Sequence, residues 1–434
     1  MQNCRWSGER LIMSPEVNDL LCRVEGGAPM GQIMRRHWLP AALSEELAER
    51  DGDPVRVRLL GEDLVAFRDS DGKIGLIGEF CPHRNASLFY GRNEACGLRC
   101  LYHGWKVAAD GAVLEMPSEP SERAMARNVR HKAYPTHEAA GIVWTYMGPE
   151  NEMPEFEPPV FQPGPDTKIS ICKVVVNCNW AQILEGAIDS AHSSTLHMSN
   201  MVPAEVDSAR ATDENWLRPS TDKAPRLQVQ STDFGFRYVA IRRPIANAGT
   251  HDYIRMTLFI APYTVLIPPN NRYRVALMHI PVDDTHTAFH FIAFGGDTTP
   301  DRESWQKFNA LQPGIDVDEN WRNRRNRSNN YLQDREAMRR GSWTGIPGIP
   351  NQDIVMWESM GPIAGRKEER LGASDVAIVA FRRQMIEAAR QMLAGGTAIG
   401  RGHSHTRLAS LRSFEGIVPK DTDWRALGTI EAAE

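Results

Sequence analysis

Hydrophobic positions in the first third of the chain occur in short runs that alternate with polar residues and end at turn signals. These runs predict strands at residues 55–60, 63–68 and 73–77, separated by the dipeptides Gly61-Glu62 and Asp71-Gly72. A further apolar run at residues 141–147 predicts a closing strand. Short strands joined by glycine-containing turns favour a small all-β domain, which we place at residues 36–148.

Patterning differs on either side of this domain. Ser14 followed by Pro15 predicts the start of a helix, within an N-terminal segment of residues 1–35. Residues 149–166 are rich in proline and acidic residues, which is typical of an extended linker.

The remaining domain, residues 167–434, combines longer strands with late helices. Strands are predicted at residues 168–176, 227–232, 234–243, 253–261, 272–282 and 287–294, and helices near residues 350–360 and at 374–394. The order of the strands suggests one antiparallel sheet with helices packed on it. The predicted fold class is therefore α+β.

Composition excludes several classes of protein. The 434 residues carry a formal net charge of −5 with a pI of about 6.3, which argues against a dedicated nucleic-acid binder. The mean hydropathy is −0.42, and the sequence contains no membrane-spanning run and no signal-peptide pattern. Outside the motifs described next, Cys4, Cys22, Cys96, Cys172 and Cys178 have no framework spacing, so we expect reduced thiols and a cytoplasmic protein.

Two mixed pairs of metal-binding residues lie between the predicted strands. Cys81 and His83 are separated by one residue, and Cys100 and His103 by two. Two thiolates and two imidazoles could hold zinc, or a Rieske [2Fe–2S] cluster in which two cysteines bind one iron and two histidines bind the other. Zinc ribbons mostly pair cysteine with cysteine, so the mixed spacing favours the cluster over zinc, and over cysteines and histidines that are simply buried.

The two pairs and the following Gly104-Trp105 resemble the large oxygenase subunit of Rieske non-haem iron ring-hydroxylating oxygenases, and the resemblance covers nearly the whole chain. It implies a Rieske domain followed by a helix-grip catalytic domain. It also implies a [2Fe–2S] cluster, mononuclear Fe(II), O2 as co-substrate, and NADH electrons delivered by a flavin and iron–sulfur reductase. A homotrimer or a stacked homohexamer is expected.

Residues 177–197 contain candidates for the mononuclear site. Asp189 and His192 are three positions apart and would share a helical face, whereas His197, five positions further, would not. We therefore predict a helix end or a π-bulge at Ser193–Thr195, which lets the imidazoles converge. An ordinary polar helix face is the alternative.

The resemblance supplies two further assignments. It identifies Asp353 as the carboxylate ligand that joins His192 and His197, with Glu358 as the second candidate. It also gives Asp189 the role of bridging His103 of a neighbouring subunit to His192, where the alternative is an ordinary helix carboxylate.

Part of the second domain resembles the phthalate-dioxygenase subgroup, which acts on carboxylated aromatic rings. Tyr253, Arg255, Thr257 and Phe259 share one face of a predicted strand, and a buried arginine there is costly unless an anion accompanies it. The resemblance suggests that Arg218 and Arg255 bind an aryl dicarboxylate, although structural ion pairs are an alternative.

The expected activity is cis-dihydroxylation of a carboxylated aromatic ring. One alternative that would use the same metal centres is O-demethylation of a methoxylated aryl acid. The alternative from a different class is a Rieske electron carrier, or a zinc-stabilised binding protein, without catalysis. A carrier needs no second iron, so His192, His197 and Asp353 would then have no explanation.

Overall fold

The computed structural model describes residues 13–120, 129–204, 216–268, 273–401 and 406–428. The N-terminal extension, including Cys4, lies outside these residues. Two short helices come first, α1 (Pro15–Cys22) and α2 (Pro29–Arg35). The Ser14 hydroxyl accepts from the Val17 amide at 3.3 Å and caps α1, as predicted.

The following residues form three small β-sheets. Their strands are β1 (Trp38–Leu43), β2 (Val55–Leu59), β3 (Glu62–Arg68), β4 (Ile74–Gly78), β5 (Arg92–Glu94), β6 (Gly97–Arg99), β7 (Lys106–Val107), β8 (Val113–Glu115), β9 (Ala133–Tyr134), β10 (Thr136–Ala139) and β11 (Ile142–Tyr146). The sheets have the orders β1-β11-β10, β2-β3-β4-β9 and β5-β6-β7-β8. Each strand predicted here from periodicity is present to within a residue or two at its ends.

The second part of the chain is built on one antiparallel sheet. Its elements are β12 (Lys168–Val176), α3 (Trp180–Ala187), β13 (Met201–Pro203), β14 (Trp216–Arg218), β15 (Arg226–Ser231), β16 (Gly235–Arg242), β17 (His251–Ile260), β18 (Thr264–Ile267), β19 (Arg274–Pro281), β20 (Thr287–Gly295), α4 (Arg302–Phe308), α5 (Arg335–Arg339), α6 (Ile349–Ser359), α7 (Val376–Leu393) and β21 (Phe414–Pro419). Among the described residues, the sheet has eight strands in the order β12-β20-β19-β18-β17-β16-β15, with β21 paired to β17. The α+β class and the single antiparallel sheet are confirmed.

Strands β18 and β21 were not predicted. Only four residues long, β18 pairs with the last residues of β17. The more distant β21 pairs with the first part of the same strand and places Glu415 opposite Arg255. Directly opposed residues share a face of a sheet, so a segment near the C-terminus contributes to the face that carries Arg255.

Helices α3 and α6 are pressed together against this sheet. A Cβ atom added at Gly186 of α3 would lie 2.1 Å from the indole nitrogen of Trp357 of α6. Close contact therefore requires glycine at this position, and it fixes α6 relative to the residues that follow α3.

A buried ion cluster holds α3 from another side. The Glu185 carboxylate accepts hydrogen bonds from Arg366 and Arg382, with nearest distances of 3.0 and 2.8 Å. Arg366 also donates to the Asn18 side chain of α1 at 2.9 Å. The cluster thus joins α1, α3 and α7. Among the described helices, none is both long and apolar enough to cross a membrane.

Candidate metal centres and substrate cavity

The predicted cluster residues lie on two loops of similar construction. The Cys81 amide donates to the Ala86 carbonyl at 2.8 Å, and the Cys100 amide donates to the Trp105 carbonyl at 2.8 Å. These bonds turn each loop back on itself, so that the imidazole rings of His83 and His103 lie 4.4 Å apart between centroids. The structure thus brings all four predicted residues to one end of the domain.

The surroundings of these loops fit a redox cluster. Cys81 and Cys100 are buried, and Nδ1 of His83 is buried without a hydrogen-bond partner among the described residues. Burial and the neighbouring Cys100 thiol raise the pKa of Cys81 to about 11, although backbone amides oppose the rise. Two buried cysteines beside an unsatisfied ring nitrogen fit a [2Fe–2S] cluster, which would bind the cysteines as thiolates and compensate their buried negative charge.

The mononuclear-site segment departs from the prediction in its local structure. Helix α3 ends at Ala187, so Asp189 and His192 do not share a helical face, and no π-bulge is present between residues 177 and 197. Instead, the Asp189 carboxylate accepts from the Ala191 amide at 2.8 Å, and a 3₁₀ turn begins at His192. Aspartate competes with helical hydrogen bonding in this way, and here the turn it forms redirects the chain.

This turn makes three donor atoms converge. Nε2 of His192 lies 3.2 Å from Nε2 of His197, and Oδ1 of Asp353 lies 3.4 Å and 3.2 Å from these two atoms. Neighbouring ligands of an ion with metal–ligand bonds of about 2.1 Å lie roughly 3 Å apart, so the spacing fits one metal ion. This set of two histidines and one carboxylate has the composition of the facial triad of non-haem Fe(II) oxygenases, and the three residues are called the triad below.

The second carboxylate candidate is positioned elsewhere. Glu358 accepts from the Asn177 amide at 2.9 Å and from the Tyr331 hydroxyl at 2.8 Å. Its carboxylate is therefore occupied in joining α6 to β12. Among the residues that the structure describes, the side chains spaced to hold a single metal ion are His192, His197 and Asp353.

Electrostatics at the triad favour a cation. Burial lowers the pKa of His192, but hydrogen bonds to Asp189 and Asp353 outweigh burial and raise it to about 10. Burial raises the pKa of Asp353, but His197 and His192 overcome burial and lower it to about 2. Both shifts show carboxylates arranged to stabilise positive charge, which a divalent metal ion would supply.

A cavity of about 630 Å³, including its open mouth, lies beside the triad. Its walls are largely apolar, with contributions from Met201, Trp216, Ile267, Leu277, Phe289 and Phe291. Arg255 and Asp189 are the charged residues that line it in addition to Asp353. A larger cavity of about 1080 Å³ lies between β1, the linker and β18, but the triad does not line it.

Three buried arginines lie close to one another near this cavity. Arg218 donates to the Ser193 and Ser194 hydroxyls, while its Nε has no partner among the described residues. Burial and the charge of Arg255 lower the pKa of Arg218 to about 9. Arg242, which the sequence analysis did not identify, is 1% exposed and donates to the Ser190 carbonyl at 2.7 Å. Its only signal in the sequence is a charge directly after the apolar residues 239–241 of a predicted strand.

Comparisons with known proteins agree with this geometry. Residues 37–135 match the Rieske [2Fe-2S] domain, and residues 145–434 match the family described as LigXa C-terminal domain like. The chain is 59% identical over 415 residues to the phthalate 4,5-dioxygenase oxygenase subunit of Pseudomonas putida, which covers 95% of this chain and 94% of the relative. The chain belongs to the Rieske non-haem iron oxygenases.

This Rieske oxygenase is also similar to more distant proteins. It is 36% identical to the 3-chlorobenzoate-3,4-dioxygenase oxygenase subunit of Comamonas testosteroni, over 94% of this chain and 96% of the relative. The solved structure of NdmA from Pseudomonas putida CBB5 with caffeine shares its fold, with a TM-score of 0.60 at 16% identity, over 89% of this chain and 98% of the other.

The family confirms the predicted cofactors. This Rieske oxygenase carries a [2Fe–2S] cluster and mononuclear iron and uses O2, and a reductase supplies electrons that originate from NADH. It is an enzyme component, so the electron-carrier alternative is not favoured. O-demethylation, although found in a relative that is 33% identical, is also not favoured.

Proposed function

We propose that this subunit cis-dihydroxylates an aromatic dicarboxylate of the phthalate class. The observation that carries the proposal is the placement of Arg255 in an apolar cavity that also exposes His192, His197 and Asp353. Apolar walls suit an aromatic ring, and a guanidinium group suits a carboxylate in bidentate geometry. The relative that is 59% identical is named for phthalate.

In this proposal the two metal centres are held by seven side chains. Cys81, His83, Cys100 and His103 hold the cluster, and His192, His197 and Asp353 hold iron. When bound, the iron offers open positions for O2 chemistry, and the cluster delivers single electrons. The protein supplies the orientation, because the Asp189 turn and the packing of α6 on α3 bring the three iron ligands together.

Arg218 and Arg255 would hold the substrate carboxylates. Support comes from the unpartnered, buried Nε of Arg218 and from the mutual repulsion that lowers the pKa of this residue. A dianion beside the two guanidinium groups would relieve this repulsion and satisfy the nitrogen. It would also fix the ring at one distance from the triad, which determines the carbons that are oxidised.

Asp189 would connect the centres of neighbouring subunits. Its Oδ2 lies 3.5 Å from Nδ1 of His192, on the opposite side of the ring from the triad. A carboxylate can accept from a second imidazole, which we assign to His103 of a neighbouring subunit. The arrangement requires a head-to-tail homotrimer, alone or stacked into a hexamer, with a flavin and iron–sulfur reductase as donor. The dependence on NADH favours a cytoplasmic location.

Turnover with the purified protein, a phthalate-class reductase, NADH and O2 tests the proposal. Phthalate, isophthalate and methoxylated aryl acids are supplied separately, and products are identified by mass spectrometry. A product with two added oxygens and two added hydrogens is expected from phthalate. Formaldehyde release from a methoxylated acid, with no dihydrodiol from either dicarboxylate, would instead indicate demethylation.

Iron analysis of variants tests the ligand assignment. Wild type should contain three irons per chain, and an Asp353→Asn variant should retain the two irons and the spectrum of the cluster. Glu358→Gln is the matched control, because Glu358 lies on the same helix as Asp353 but bonds elsewhere. Two irons per chain in wild type would contradict the assignment.

A further inference from the structure

Glu415 lies against the arginines of the substrate site. It stands opposite Arg255 in the pairing of β21 with β17, and its Oε1 lies 3.8 Å from a terminal nitrogen of that guanidinium. The Tyr253 hydroxyl donates to the same oxygen. Oε2 is buried and has no partner among the described residues. Glu415 is thus a carboxylate fixed inside the site rather than a surface ion pair.

Arg242 adds a third charge to this group. Its guanidinium donates to the backbone carbonyls of Ser190 and Asp222, at 2.7 and 3.1 Å, and both are neutral acceptors. The Asp222 carboxylate is paired with Arg243, so these two charges cancel and are left out of the count below. Arg218 likewise donates to hydroxyl groups and to the sulfur of Met201. Hydroxyls and carbonyls satisfy the donors but leave the positive charges in place.

The charges of these four side chains give a simple count. Three guanidinium groups carry +3, and Glu415 lowers the sum to +2. A ligand with two carboxylates would neutralise the remainder, whereas one carboxylate would leave a buried positive charge and three would introduce a negative one. Uncompensated charge at a buried site is costly, so the count affects which ligand binds.

We propose that Glu415 determines specificity by setting the number of carboxylates that the substrate site accepts. The inference rests on the proposed function, because it assumes that the substrate carboxylates bind at Arg218 and Arg255. It adds that the preference for a dicarboxylate depends on a protein carboxylate that does not contact the iron.

Equilibrium binding to the oxidised holoprotein tests the inference without turnover. Dissociation constants are measured by calorimetry for benzoate, phthalate and benzene-1,2,3-tricarboxylate, with wild type and with Glu415→Gln. Each ligand is compared with itself between the two proteins, so differences in ring fit cancel. Removing the fixed negative charge should tighten binding by a factor that grows about tenfold with each ligand carboxylate.

Control variants separate charge from packing. Glu415→Asp keeps the charge and should change all three affinities by a similar factor. Asp252 lies on β17, the strand of Arg255, but it pairs with Arg226 of β15. Asp252→Asn removes this charge and should leave the affinity ratios unchanged. Arg242→Gln lowers the net positive charge of the group by one. It should therefore weaken binding by a factor that grows with each carboxylate on the ligand. This variant tests the dependence on charge if Glu415→Gln does not fold.

Two outcomes would overturn the inference. One is a uniform change for all three ligands in Glu415→Gln, which would show a positioning role. The other is unchanged affinity, which would show that the Glu415 carboxyl is neutral in the native protein. If wild type binds benzoate as tightly as phthalate, the proposed function fails instead, so the two failures are distinguishable.

Discussion

Nδ1 of His197 lies 2.8 Å from the side-chain oxygen of Gln352, the residue immediately before Asp353. The Gln352 amide nitrogen donates in turn to the Asn200 side chain at 3.0 Å and to the Ile346 carbonyl at 2.9 Å. Because the amide oxygen accepts, the Nδ1 atom of His197 carries the proton and Nε2 faces the triad. Gln352 therefore fixes both the tautomer and the orientation of one proposed iron ligand.

Replacing Gln352 with Leu should weaken iron binding by roughly 10- to 100-fold, because the His197 ring loses its hydrogen-bonded partner. Iron remaining after dialysis against a chelator measures the effect, with the cluster spectrum as an internal reference. Gln384→Leu is a matched control, since Gln384 donates to the Gly235 carbonyl far from the triad. Equal iron retention in the Gln352 and Gln384 variants would contradict the role.

Gly186→Ala should displace α6 and with it Asp353. The added methyl group would overlap the Trp357 indole, so the two helices must separate or the ring must move. We expect destabilisation of about 1–3 kcal/mol together with reduced iron content, measured by urea unfolding and metal analysis. Combining the change with Trp357→Leu should restore iron content; no recovery would show that the glycine acts through another contact.

The sequence was most informative where the number of residues between two side chains determines how these side chains are arranged. The pairs Cys81–His83 and Cys100–His103 each lie on a single loop, and the structure places their side chains as the spacing predicts. Periodicity likewise located six of the eight described strands of the large sheet, all except β18 and β21. In the first case the interacting residues are close in the sequence. In the second case each strand is long enough to show its own alternation of apolar and polar residues.

Interactions between distant segments could not be predicted in this way. Glu415 meets Arg255 only because β21 pairs with the middle of the sheet, and nothing in a six-residue strand specifies that partner. The end of α3 at Ala187 was also missed, because the Asp189 turn competes locally with a helix that the sequence would permit. Resemblance alone suggested Asp353 as a candidate, and the structure places its carboxylate beside His192 and His197.

Asp189→Ala should retain both metal centres but lose electron transfer between them. Asp189 contacts the ring of His192 at Nδ1, so the substitution removes no proposed iron ligand. Its other oxygen accepts from the Ala191 amide, so iron content is measured in the same samples to detect any loosening of the turn. We expect turnover to fall by about 100-fold or more, while iron content and reduction of the cluster by the reductase remain normal. Asp189→Glu should recover part of the activity. Normal product formation in the alanine variant would exclude the bridging role.

Stability should fall in mild acid because two buried histidines are kept neutral. Burial lowers the pKa of His279 to about 3, and burial together with Lys173 lowers that of His290 to about 3, from an ordinary value of 6.5. The unfolded chain takes up protons below pH 6.5 while the folded protein does not, so stability is complete above this pH and declines until about pH 3.

At pH 5.5 the two histidines together should cost about 3 kcal/mol of unfolding free energy relative to pH 7.5. The double variant His279→Gln, His290→Gln removes this contribution, whereas the metal centres respond to pH equally in both proteins. Urea unfolding at the two pH values should therefore show a smaller loss in the variant than in wild type. Equal losses would mean that these histidines accept protons in the folded state, with local rearrangement of the sheet around them.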